Sequence, residues 1–107
     1  MALNSDFVER SQKLVNEIAQ AERLNRPIEN LVMQHIAVLQ EHHDEFVRQA
    51  DKANIHNLQR AKTEIELYSN IIAWANKIGM PVDKYNEAIR KIRVSIIGEE
   101  NTKKFFS

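Results

Sequence analysis

Three of the four histidines, His35, His42 and His43, sit close together beside Glu41, Asp44 and Glu45, side chains of the kind that hold divalent metals or move protons. The spacing argues against a metal. Two ligands on one helix must be three or four residues apart to converge. His35 and His42 are seven apart, about 10.5 Å along a helix axis, and His42 and His43 diverge by roughly 100° around it. Only His42 with Glu45 has usable spacing, and the Glu-x-x-His pairs of di-iron bundles do not occur in the chain. No metal and no other cofactor is expected.

His43 supports a different chemistry, because it falls on the apolar seam of a predicted helix. Burial disfavours the charged imidazole, so the unfolded chain would take up a proton more readily. Stability would then decline below an unfolded pKa of about 6.5. His43 is therefore a candidate pH-sensitive core residue, the plainer alternative being a neutral histidine bonded to a neighbouring helix or subunit.

Catalysis finds little support. The chain has no cysteine, no Gly-x-Ser-x-Gly turn and no glycine-rich phosphate loop. It also lacks a carboxylate pair with a reason to titrate apart, and Glu64 and Glu66 read as solvated helix surface. No catalytic residue is assigned, and a non-enzymatic protein is expected.

The stretch from Ala75 to Ile89 has the spacing of a helix-turn-helix: a small residue, a glycine four later (Gly79) and an apolar residue six beyond that (Tyr85). In that reading Lys84, Asn86, Arg90 and Lys91, with Glu87, would lie on or near the outer face of a recognition helix, and Arg93 would meet a phosphate. The same glycine and Pro81 are equally explained by one helix ending and another beginning. Asp83 and Glu87 would face the phosphates, and the balance of 15 Lys and Arg against 15 Asp and Glu lacks a basic footprint. Nucleic-acid binding through residues 75–93 is the alternative to a protein partner.

Two apolar features suggest such a partner. Tyr68 and Trp74 are core aromatics or interface anchors. The tail from Glu99 to Ser107 carries Phe105 and Phe106 after a polar spacer, either to dock on its own bundle or to enter another protein's groove.

The elements that must position these groups are helices. Residues 27–78 contain no glycine and no internal proline, and apolar side chains recur through them at helical spacing. The pattern predicts four helices near 5–25, 27–53, 55–78 and 82–97. Asn4 or Ser5 would cap the first, Pro27 would open the second, and Asp83 would cap the fourth. Gly79 would end the third in a left-handed conformation, and Gly98 would close the fourth. Val32, Ile36, Leu39, His43, Phe46, Ala50 and Ala53 form the seam of helix 2; Leu58, Ala61, Ile65, Tyr68, Ile72 and Ala75 form that of helix 3. Only asparagines mark a turn between 51 and 57. The pattern favours two helices folded back on each other, against one unbroken helix of roughly 75 Å that would need a partner chain.

The predicted architecture is thus all-α: one domain over 1–107, an antiparallel bundle of about four helices with long central helices, coiled-coil-like and dimeric, with residues 98–107 as a flexible or docked tail. At 43% apolar and 28% charged residues the chain is ordinary for a globular protein. It has no cysteine framework, no signal-like N-terminus and no apolar run long enough for a membrane. A cytoplasmic adaptor, inhibitor or assembly factor acting through helix faces is expected, as a homodimer and without membrane contact. The acidic charge of helix 2 against the basic charge of helix 4 favours antiparallel or intermolecular pairing of the two.

Overall fold

A computed structural model describes residues 2–98, and the side chains of 6–95. Four helices follow one another: α1 (Ala2–Arg23), α2 (Glu29–Lys52), α3 (Leu58–Lys77) and α4 (Asp83–Ile92). The last runs on into a π-helical segment, π1 (Arg93–Gly98). Among the described residues there is no strand. Phe7 faces His42, His35 faces Trp74, His43 faces Tyr68, and Asp51 pairs with Arg60. Numbers fall on one helix as they rise on the next, so α1, α2 and α3 are antiparallel in sequence. Tyr68 against Tyr85, with both α4 and π1 packed along α3, extends the alternation to α4.

Helices 2 and 3 are separate, and the asparagine that parts them acts as the glycine does further on. Asn25, Asn54 and Gly79 all have positive φ, at 55°, 57° and 72°. The amide after each bonds back to the carbonyl of an alanine five residues earlier: Arg26 to Ala21 at 2.8 Å, Ile55 to Ala50 at 2.8 Å and Met80 to Ala75 at 2.9 Å. This is the Schellman end of a helix, built three times on the spacing Ala-x-x-x-Asn or Ala-x-x-x-Gly. Asparagine tolerates the left-handed region better than other residues with a Cβ, and each of the three alanines is buried.

Helix starts differ from the expected positions. α1 begins at Ala2, which places Asn4 and Ser5 inside it. α2 begins at Glu29 with Ile28 at the cap rather than at Pro27; the Schellman turn that closes α1 runs through Arg26, and Pro27 lies between the two helices. Val82, not Asp83, is the cap of α4, and Asp83 serves as an acidic first-turn residue beside the positive helix end. α3 has a side-chain cap: Asn57 Oδ1 accepts from the Arg60 amide at 3.0 Å.

α1 packs against α2, α2 against α3, and α3 against α4 and π1; among the described residues α1 packs along no other helix. The bundle is therefore open, with principal extents of 56 × 32 × 16 Å. Its radius of gyration of 16.4 Å exceeds the roughly 13 Å of a compact chain this long. The core lies toward the end where α2 starts and α3 stops. Ile18, Val32, Ile36, Leu39, Ile71, Ala75 and Tyr85 form one buried cluster there, flanked by Phe7, Leu31, Tyr68, Ile72, Trp74 and Met80. Each fully buried Ile, Leu or Val contributes about 1.5 to 3 kcal/mol of apolar transfer.

Candidate functional site

The opposite end of the α2–α3 pair is polar inside. Arg60, one turn into α3, is only 9% exposed. Its Nε donates to Glu64 Oε2 at 3.0 Å, and its Nη1 donates to the Ile55 carbonyl at 2.8 Å and lies 2.8 Å from Asp51 Oδ1 and 3.0 Å from His56 Nδ1. One guanidinium thus ties the last turn of α2, the connecting turn and the first turns of α3. Burial works against its charge, but the bonds to Asp51 and Glu64 outweigh it and hold Arg60 above its ordinary pKa.

Glu64 is 8% exposed, which corrects its reading as solvated surface. No periodicity marks it as polar surface or polar core, since it falls between Ala61 and Tyr68 on the inner face of α3. The signal available was its spacing of four from Arg60. Its Oε1 lies 3.8 Å from His43 Nε2, and His43 Nδ1 lies 3.3 Å from Asp44 Oδ1. The His43 ring tilts against Tyr68 at 4.1 Å. Burial, followed by the charges of Glu64 and Asp44, raises the Tyr68 phenol. His43 is buried, as its place on the seam predicts.

The other α2 histidines are also folded inward. His35 is buried and meets Trp74 edge-on at 4.6 Å; His42 stacks on Phe7 at 3.9 Å with 11° between the planes. Burial lowers the pKa of both, and His43 lowers that of His42 further. Among the described residues no group of three or more His, Asp or Glu side chains is placed to hold a metal ion.

Beside Arg60 lies an open groove of about 480 Å³, lined by Phe46, Ala50, Ala53, Ile55, Arg60 and Thr63 among others. Its position follows from helix lengths. Phe7 is opposite His42, so Ala2 is about 7.5 Å further along, level with Val47. There α1 gives out, and α4 lies on the other flank of α3. The seam accordingly stops at Ala50 and Ala61: Ala53 is exposed and Leu58 is 49% exposed, contrary to their predicted inward positions. Ile55, in the groove, is 42% exposed.

Tyr68 and Trp74 are half-buried, each engaged by a histidine of α2. Phe105 and Phe106 lie outside the described residues. Lys84, Asn86, Arg90, Lys91 and Arg93 are all exposed on α4 and its π-helical continuation. Arg90 Nε donates to Glu87 at 3.0 Å, and Lys84 Nζ lies 5.0 Å above the Tyr85 ring. Ala75 and Tyr85 pack in the core as the helix-turn-helix spacing requires, but α4 lies along α3 through π1. No helix among the described residues is long and apolar enough to cross a membrane. No protein-family model, curated protein or solved structure matches this chain.

Proposed function

We propose that the protein is a non-enzymatic interaction module that associates with a second copy of itself at the groove end of α2 and α3. The observation that carries this reading is the uncovered apolar groove of Phe46, Ala50, Ala53 and Ile55, set against a wall stiffened by Arg60. Rigid elements that present apolar surface bind with little ordering cost.

Charge favours a second copy as the occupant. α2 sums to about −3 and the α4–π1 segment to about +2, yet α3 separates them and they make no packing contact among the described residues. Part of the α2 charge is met within the chain, Glu41 by Arg10 and Asp51 by Arg60, but among the described residues the complementarity of α2 with α4 is not used. Between chains it is available to a two-fold interface, in which each copy offers both signs. The buried carboxylate is engaged by a guanidinium rather than aimed into the groove, which supports recognition over acid–base chemistry.

Sedimentation equilibrium over a wide concentration range tests the proposal. The expected result is mass rising from monomer to dimer, with Ile55→Glu shifted toward monomer. A monomer mass independent of concentration overturns the dimer. A mobility shift with random duplex at low salt would instead turn attention to the basic face of α4.

A further inference from the structure

The three histidines of α2 differ in what could receive the charge of a second ring proton. An imidazolium at His43 would have Asp44 3.3 Å from Nδ1 and Glu64 3.8 Å from Nε2. Among the described residues no carboxylate oxygen comes within 4.0 Å of a ring nitrogen of His35 or His42. Among the described residues the Nδ1 atoms of both are buried without a hydrogen-bond partner; His43 Nε2 also lacks one, but Glu64 lies close enough to meet its charge. A neutral imidazole can leave that nitrogen as a bare acceptor. Protonation places an N–H donor there with nothing to accept it, and an unmet buried donor on a charged ring is the costlier state.

The charged groups around these rings are engaged or aligned elsewhere. From α1, Arg10 bonds Glu41 at 2.8 Å and lies 3.8 Å from Asp6, and Glu22 is paired with Lys77 of α3 at 3.0 Å. Lys13 and Glu17 line the outer groove between α1 and α2 with Gln34 and Val38. From α3, Glu64 is held by Arg60 and faces His43, and Tyr68 tilts against that same ring. On α2 itself His43 can add only like charge beside His42.

The two rings sit against different helices: His42 is covered by α1, and His35 meets Trp74 of α3 edge-on. His42 is stacked on Phe7, and the antiparallel register set by that pair brings Leu14 level with His35. Among the described residues α1 packs along α2 and meets α3 through the Lys77–Glu22 pair, so its hold on the bundle passes mainly through the α2 face that carries His42.

We propose that protonation of His35 and His42 opens the bundle, releasing α1 from α2 at the His42–Phe7 stack and loosening α2 against α3 at the His35–Trp74 contact, an acid-operated device independent of the association at the groove. The direction of both pKa values agrees with it, since burial lowers each. The sign follows. The unfolded or opened chain binds these protons more tightly than the closed form, so the closed form has its full stability above the unfolded pKa of about 6.5. It loses stability as the pH falls from there toward the lowered native values, by up to about tenfold in the closing constant per pH unit for each histidine.

Three measurements on the full chain test this. Ring-carbon NMR titration of the wild-type protein should show His35 and His42 titrating below 6.5. Hydrogen exchange at pH 5.5, corrected for intrinsic rates, should show the amides of α1 losing protection ahead of those of α3. The fall in Tm between pH 7.5 and 5.5 should be at least halved in the double variant His35→Leu, His42→Phe, whose phenylalanine keeps a ring against Phe7. Native pKa values at or above 6.5, α1 protection unchanged at pH 5.5, or an undiminished Tm shift in the double variant would each overturn the proposal. Should that variant fail to fold, the two wild-type measurements decide alone.

Discussion

Where α2 begins and α3 ends, Val32, Leu39, Ile71 and Ala75 are shut away from water together with Ile18 of α1 and Tyr85 of α4. Where α2 ends and α3 begins, the same two helices meet through Arg60, Glu64, Asp51 and His43, beside a groove that no third helix among the described residues covers. The apolar end stabilises by the area it removes from water, and many side chains of the right volume would serve there. The polar end stabilises little in net terms, because desolvating a guanidinium and a carboxylate offsets much of their attraction. It fixes instead how the helices are joined, and leaves apolar surface on a stiff frame. The apolar core and the proposed recognition surface thus lie at opposite ends of one helix pair.

The largest test of that division is Ile71→Ala, which opens a cavity at a fully buried position. It should lower unfolding free energy by about 4 kcal/mol, measured by urea denaturation; a loss under about 1 kcal/mol would mean that the two ends do not differ. Arg60→Leu should cost about 3 kcal/mol by leaving Glu64 buried without its partner, and the double variant Arg60→Leu, Glu64→Leu should regain most of it. A double variant as unstable as the single one would show that the pair contributes attraction rather than register.

A smaller effect isolates the turns. Nothing lies within 4 Å of a Cβ built on Gly79, whose φ is +72°. Gly79→Ala therefore reports backbone strain alone, about 1 to 2 kcal/mol, whereas Asn54→Gly should be neutral or slightly stabilising. At the smallest end, Ile55→Glu places a charge at a half-exposed groove position and should leave the monomer's melting temperature nearly unchanged while weakening self-association. A marked loss of Tm would make the groove part of the fold rather than a surface for binding.

Helix type and order were legible because apolar residues recur at helical spacing and because Pro27 and Gly79 mark breaks; the separation of helices 2 and 3 rested on asparagines alone, and the left-handed roles of Asn25 and Asn54 emerged only in the structure. His43 was recoverable for the same reason, as it occupies a seam position. His35 and His42 were not, since each lies off that seam and is buried only because a second helix arrives from the side. Glu64 was misread for a related cause: a carboxylate on the inner face looks like an exception to the pattern until Arg60 is seen beside it.

The sequence by itself determined the rods and where they end, since hydrophobic period and left-handed turn residues act within a few positions of chain. Only the tertiary structure decided that the rods form an open row, that α1 gives out level with Val47, and that Arg60 joins Asp51 to Glu64. Those outcomes depend on helix lengths and register compared across the fold, and on desolvation that arises only when distant segments meet.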